Sequence, residues 1–131
     1  MRLRVVDASA LVELLLATRK GDRVDAALGG ELCAAPELLH VEVISTLARL
    51  VRVSHIGDED ADGAVTAFAR MPVTLVSHAQ LTQHAWGLRN RVRVTDALYI
   101  ACAKKLECPL ITCDGRLTRA PLPGVSMVHV N

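Results

Sequence analysis

The chain has 131 residues, of which 51% are hydrophobic and 22% are charged, so it can bury a core and is expected to form one domain over residues 1–131. A formal net charge of +1 neither supports nor excludes a nucleic-acid partner, and local patches must decide. The four cysteines lack zinc-ligand spacing and no stretch reaches the roughly 18 apolar residues of a membrane helix, so we expect free thiols in a soluble, cytoplasmic protein with no membrane partner.

Strand-like apolar runs alternate with helix-like segments along the chain. The predicted strands are 3–6, 32–34, 73–76, 110–112 and 126–130. The predicted helices are 9–17, 22–28, 36–53, 58–70, 77–90 and 96–107, with a break at 20–22 and a loop at Pro121, Pro123 and Gly124. This alternation predicts an α/β fold, a three-layer α/β/α domain with a mostly parallel central sheet.

Three carboxylates stand where predicted strands and helices meet. Asp7 and Asp114 each follow a predicted strand, and Asp96 opens a helix directly after Thr95, which we expect to be its cap. The carboxyl ends of parallel strands share one edge of a sheet, where open α/β proteins bind ligands. Several carboxylates at that edge favour a hard divalent cation and metal-assisted chemistry.

Each of these acids also has a purely structural interpretation. Asp7 could cap the helix that follows it, or Ser9 could be the cap and leave Asp7 free to face a ligand. Asp96 lies in the first turn of its helix, where a carboxylate suits the helix dipole. Asp114 precedes Gly115, and an Asp-Gly pair is a common turn signal.

Glu42 is a fourth candidate, on the predicted helix 36–53. The apolar stripe of that helix consists of Leu39, Val43, Leu47 and Leu50. Glu42 lies on the opposite strip, together with Ser45, Thr46 and Arg49. A solvated face is the default interpretation of such a strip, but it could instead be the wall of a cleft, and helical periodicity does not distinguish the two.

Four segments, in order, resemble the PIN domain family and, within it, the VapC-type ribonuclease toxins of type II toxin–antitoxin systems. The segments are 5–11 (VVDASAL), 37–43 (ELLHVEV), 95–101 (TDALYIA) and 112–117 (TCDGRL). The resemblance implies a doubly wound α/β/α sandwich and metal-dependent endoribonuclease activity, with Asp7, Glu42, Asp96 and Asp114 as the acidic centre. It also implies a cognate antitoxin protein and a homodimer as partners.

The expected reaction is hydrolysis of an RNA phosphodiester bond. The phosphate is anionic, so carboxylates need a metal between them and the substrate. We expect Mg²⁺ or Mn²⁺ at Asp7, Asp96 and Asp114, with Glu42 orienting a second metal or accepting a proton from water. Ser9 and Thr112 are candidates to fix the orientation of the carboxylates.

Arginines flank the predicted site on both sides. Arg89, Arg91 and Arg93 precede Asp96, and Arg116 and Arg119 follow Asp114. They could bind RNA phosphates, or they could be ordinary surface residues. Two other functions stay open: a PIN-like RNA-processing nuclease without an antitoxin, and a non-catalytic α/β binding module whose acids are caps and turns.

Overall fold

The computed structural model describes residues 2–119, 122 and 124–131, so the predicted loop residues Pro121 and Pro123 lie outside the described residues. The strands in this part of the chain are β1 (Leu3–Val6), β2 (Leu32–Pro36), β3 (Val73–Val76), β4 (Leu110–Thr112) and β5 (Met127–His129). They form one sheet in the order β3-β2-β1-β4-β5, and every neighbouring pair is parallel. The predicted α/β fold with a parallel central sheet is confirmed.

Helices connect these strands and cover the sheet. Those described are α1 (Ala8–Leu15), α2 (Arg19–Leu28), α3 (Leu38–Arg52), α4 (Asp58–Arg70), α5 (Thr82–Gly87), α6 (Val94–Leu106) and α7 (Gly115–Thr118), with a 3-10 turn at His78–Gln80. Helix α1 packs on α2, α3 and α4, whereas α5 packs on α6, which contacts β1 and β2. The chain moves along the sheet in one direction from β1 to β3 and in the opposite direction from β3 to β5. Because the crossovers are right-handed, the α1–α4 group and the α5–α6 group lie on opposite faces of the sheet, which gives the three layers. Within the described chain, no helix combines the length and the apolar run that a membrane crossing requires.

The two central strands are buried on both faces. Val5 and Val6 of β1 and Leu110 and Ile111 of β4 have no exposed surface. Their neighbours in the core are mainly Leu, Val, Ile and Ala, as expected for a chain with 2% aromatic residues. The residues that directly follow β1 and β4 are therefore held at fixed positions beside a rigid core.

Several predicted boundaries were wrong. The predicted helix 77–90 is a 3-10 turn at His78–Gln80 followed by the separate helix α5. The break at 20–22 does not exist, because α2 begins at Arg19 and Gly21 lies inside it. A Cβ at Gly21 would stand 2.2 Å from the carbonyl oxygen of Glu13 in α1, so glycine allows the two helices to approach closely. Pro36 ends β2 and does not start a helix; α3 begins at Leu38.

Candidate active site

The strand order reverses at the centre of the sheet, where β1 has β2 on one side and β4 on the other. In parallel α/β sheets, ligands bind beyond the carboxyl ends of the strands at such a reversal. Here a cleft of about 410 Å³ lies at this position, and its lining includes Asp7, Glu42, Asp96 and Asp114. The structure therefore brings together all four acids that the sequence singled out.

Asp7 is buried at the bottom of this cleft, with 7% of its surface exposed. Its Oδ1 accepts hydrogen bonds from the Ser9 hydroxyl at 2.6 Å and the Ala10 N–H at 3.0 Å. Its Oδ2 accepts one from the Thr112 hydroxyl at 2.5 Å. Asp7 is the N-cap of α1, so the alternative in which Ser9 caps this helix is wrong. Asp7 both caps a helix and faces the cleft.

The two hydroxyls that hold Asp7 also bind the backbone that follows β4. Thr112 accepts from the N–H of Asp114 at 2.9 Å, and Ser9 accepts from the N–H of Cys113 at 3.0 Å. Each hydroxyl thus donates to Asp7 and accepts from the neighbouring chain segment. This network fixes the end of β1 against the end of β4 and orients the Asp7 carboxylate.

Asp7 and Asp114 sit in opposite electrostatic environments. Burial raises the pKa of Asp7, hydrogen bonds from Ser9, Thr112 and the Ala10 backbone oppose that rise, and the charge of Asp114 adds to it. The pKa of Asp114 is lowered, mainly by the side-chain hydrogen bond from Arg116. Asp114 is thus readily ionised, whereas ionisation of Asp7 is disfavoured in the absence of a cation.

Asp96 and Asp114 share one arginine. The Nη2 atom of Arg116 lies 2.8 Å from Asp114 Oδ2 and 3.4 Å from Asp96 Oδ2. Arg93 Nε adds a further contact of 3.3 Å to the same Asp96 oxygen. Asp96 lies in the first turn of α6 as predicted, but the residue at the cap position is Arg93 and not Thr95, which lies inside the helix.

Glu42 belongs to the wall of the cleft. It accepts a hydrogen bond of 2.7 Å from the hydroxyl of Tyr99, a residue of α6 with 2% exposure. Burial and the hydrogen bond to Glu42 raise the pKa of Tyr99, so its hydroxyl remains a donor. Sequence reasoning missed this role of Tyr99. Two features of the sequence could have indicated it: a buried tyrosine needs a partner for its hydroxyl, and Tyr99 lies three residues after Asp96 on the same face of the helix.

Other side chains of the cleft were also not predicted. Thr46 and Arg49 line it together with Glu42, so the polar strip of α3 faces the site at each of these positions. Lys20 of α2 lines it as well, and no sequence pattern pointed there. Cys113 borders the carboxylates, but burial raises its pKa to about 11, so it stays a neutral thiol and is a poor nucleophile.

A second cleft of about 410 Å³ adjoins the acidic one. Its lining includes Arg89, Arg91, Arg93 and Arg116, four of the five arginines selected from the sequence, but not Arg119. Arg93 and Asp96 line both clefts, so cationic and anionic surfaces meet there. This juxtaposition suits a polyanion whose backbone lies on the arginines and reaches the acids.

The donor set fits a hard divalent cation by its chemistry, because five carboxylates line one cleft: those of Asp7, Glu42, Asp96 and Asp114, and that of Glu13, which the sequence did not single out. In the part of the chain that the structure describes, no three His, Cys, Asp or Glu side chains are grouped closely enough to hold an ion together. In this arrangement Arg116 binds both Asp96 and Asp114, Arg93 binds Asp96, and protein donors occupy both oxygens of Asp7. These side chains must therefore rearrange before Asp7, Asp96 and Asp114 can coordinate one ion together.

Comparison with known proteins shows the family of this chain. The family model of the PIN domain matches residues 4–122. This chain belongs to the PIN domain family. The PIN relative named ribonuclease VapC12, from Mycobacterium tuberculosis, is 41% identical over 116 residues, which cover 88% of this chain and 90% of VapC12.

Solved structures share the PIN fold at low sequence identity. The VapBC2 structure from Rickettsia felis, bound to a DNA fragment from its promoter, contains a chain with a TM-score of 0.71 and 13% identity, with coverage of 99% of this chain and 100% of that one. The sarcin-ricin loop cleaving toxin VapC20 of M. tuberculosis has a TM-score of 0.65 and 19% identity, with coverage of 94% and 98%. These matches show that the α/β/α architecture is that of PIN proteins.

Proposed function

We propose that this protein is a metal-dependent endoribonuclease and the toxic component of a toxin–antitoxin pair. The observation that carries the proposal is the convergence of Asp7, Glu42, Asp96 and Asp114 on one cleft beside an arginine-lined cleft. It is supported by a relative named as a ribonuclease, 41% identical over most of its length. The substrate is RNA, and the bond that breaks is a phosphodiester.

Asp7, Asp96 and Asp114 would hold Mg²⁺ or Mn²⁺. When bound, such an ion polarises a phosphoryl oxygen and lowers the pKa of water. Ser9 and Thr112 keep the Asp7 carboxylate in one orientation through hydrogen bonds of 2.6 and 2.5 Å. Glu42, held by Tyr99, is placed to accept a proton from the attacking water. The arginines bind the RNA backbone through its phosphates.

The proposed partners are a cognate antitoxin and a second copy of the chain. A ribonuclease toxin must be kept inactive in its own cell, so the antitoxin would cover the acidic cleft, where a basic side chain suits the carboxylates. Val41 and Ile44 of α3 are 67% and 51% exposed and lie three residues apart on one helical face, which provides apolar surface for a homodimer. The protein would act in the cytoplasm, because its proposed RNA substrate is there.

Replacing Asp7 or Asp96 with asparagine tests the activity. Either variant should lose Mn²⁺-dependent cleavage of RNA while its circular dichroism spectrum stays that of the wild type. Asp62→Asn, which changes an exposed carboxylate of α4, is the matched control and should cleave normally. Unchanged cleavage by Asp7→Asn or Asp96→Asn would contradict the assignment.

The non-catalytic module remains the second candidate because Asp7 and Asp114 do cap helices. Calorimetric titration with Mn²⁺ separates the two functions. A nuclease should bind Mn²⁺ and lose that binding in Asp7→Asn. A module whose acids are only caps should bind no Mn²⁺ in either form.

A further inference from the structure

Arg116 is placed where a cation is expected in the acidic cleft. A single nitrogen, Nη2, contacts Oδ2 of both Asp96 and Asp114. The other oxygen of Asp114, Oδ1, accepts the backbone N–H of Arg116 at 3.0 Å as the cap of α7. The oxygen of Asp114 that is not used by the helix is therefore taken by the guanidinium.

The two ion pairs of Arg116 form in the free protein but are weak enough for another cation to replace the guanidinium. The Arg116 side chain is 52% exposed, whereas those of Asp96 and Asp114 are 17% and 29% exposed. Ion pairs with an exposed member are screened by water and are individually weak. A divalent cation carries twice the charge of a guanidinium and binds carboxylate oxygens directly, so it can displace Arg116.

Arg116 also has a second environment within reach. It lines the cleft formed with Arg89, Arg91 and Arg93, where an anionic phosphate would offer its guanidinium a new partner. We propose that Arg116 is a displaceable internal counter-ion, which binds Asp96 and Asp114 in the free protein and yields them to the divalent cation as it moves to an RNA phosphate. This inference rests on the proposed metal-dependent ribonuclease function.

The direct test is calorimetric titration of Mn²⁺ into RNA-free protein. Arg116→Gln should bind Mn²⁺ about 3- to 10-fold more tightly than the wild type, the factor that one or two exposed ion pairs represent. Arg116→Lys keeps the positive charge but lacks the planar guanidinium, so its Mn²⁺ affinity should lie between those of the wild type and Arg116→Gln. Arg91→Gln is the matched control: it removes a charge from the same arginine-lined cleft without a described carboxylate contact and should change the Mn²⁺ affinity less than about 2-fold.

The outcomes separate this inference from the proposed function. Wild-type binding of Mn²⁺ with equal or weaker binding by Arg116→Gln would overturn the inference alone, since Arg116 would then organise the carboxylates and not compete for them. If Arg91→Gln raised the Mn²⁺ affinity as much as Arg116→Gln does, the inference would be overturned as well, because the loss of any positive charge near the cleft would then explain the effect. No Mn²⁺ binding by any of these proteins would overturn both proposals.

A double-mutant cycle in EDTA tests the movement to RNA without cleavage. Asp114→Asn removes the shorter of the two ion pairs of Arg116, so it should loosen the hold on Arg116 and tighten binding of a fluorescent RNA oligonucleotide about 3-fold, beyond the small gain from removing one negative charge. In an Arg116→Gln background the same change should leave only that small gain. An equal gain in RNA affinity in both backgrounds would refute the proposal that Arg116 moves to an RNA phosphate.

Discussion

Replacing Thr112 with valine removes one hydroxyl between the two central strands and preserves the shape of the side chain. Thr112 is fully buried, donates to Asp7 Oδ2 at 2.5 Å and accepts from the N–H of Asp114 at 2.9 Å. A lost hydrogen bond to a carboxylate costs about 1.5–3 kcal/mol and the unpaired N–H about 1 kcal/mol more. We therefore expect the free energy of unfolding to fall by about 2.5–4 kcal/mol at pH 7.

Equilibrium unfolding in urea measures this loss, and Thr112→Ser is the matched control. Serine keeps the hydroxyl and lacks one buried methyl group, which costs about 1 kcal/mol. The difference between the two variants should narrow as the pH falls through the folded-state pKa of Asp7, which lies above the ordinary value, because a protonated Asp7 has less need of a donor. Equal stability of the two variants at pH 7 would refute the role given to the hydroxyl.

Three further predictions follow from the contacts of the site. The pKa of Asp7 is raised in the folded state, so the contribution of this carboxyl group to stability is complete below pH 3.8 and is lost as the pH rises through the folded-state pKa. Metal-free Asp7→Asn should therefore gain stability relative to the wild type across that pH range, as measured by urea unfolding. A relative loss of stability there would contradict the sign. Tyr99→Phe releases Glu42 and should slow single-turnover RNA cleavage about 10-fold; an unchanged rate would show that Glu42 needs no positioning. Replacing Arg91 and Arg93 with glutamine should weaken RNA binding and reduce the slope of log affinity against log salt by about 1.4, and an unchanged slope would remove both from the interface.

Much of the fold followed from local patterns. The alternation of apolar strands and helices predicted a parallel sheet, and the strands around Val5 and Ile111 are where those patterns placed them. Boundaries that depend on neighbours were less accurate. Gly21 resembles a helix breaker in sequence, yet contact with α1 makes glycine the residue that fits inside α2. Local propensity does not contain that contact.

The candidate site divides in the same way. Asp7 and Asp114 were predictable, because an acid that follows a buried parallel strand must emerge at the edge where ligands bind. For Glu42, the polar strip favoured a solvated face, and helical periodicity could not distinguish it from a cleft wall. Tyr99, 57 positions away in sequence, decides for the cleft wall through one hydrogen bond. The sequence also placed Arg116 near Asp114 without indicating that it reaches Asp96.

The sequence by itself thus determined which residue types stand at the strand ends and what chemistry they can support, because strand and helix periodicity are local properties. Only the tertiary structure decided which charges face one another. The pairing of Arg116 with Asp96 and Asp114 depends on the packing of α6 against the sheet and on the turn after β4, and Coulomb interactions follow distance in space and not separation along the chain.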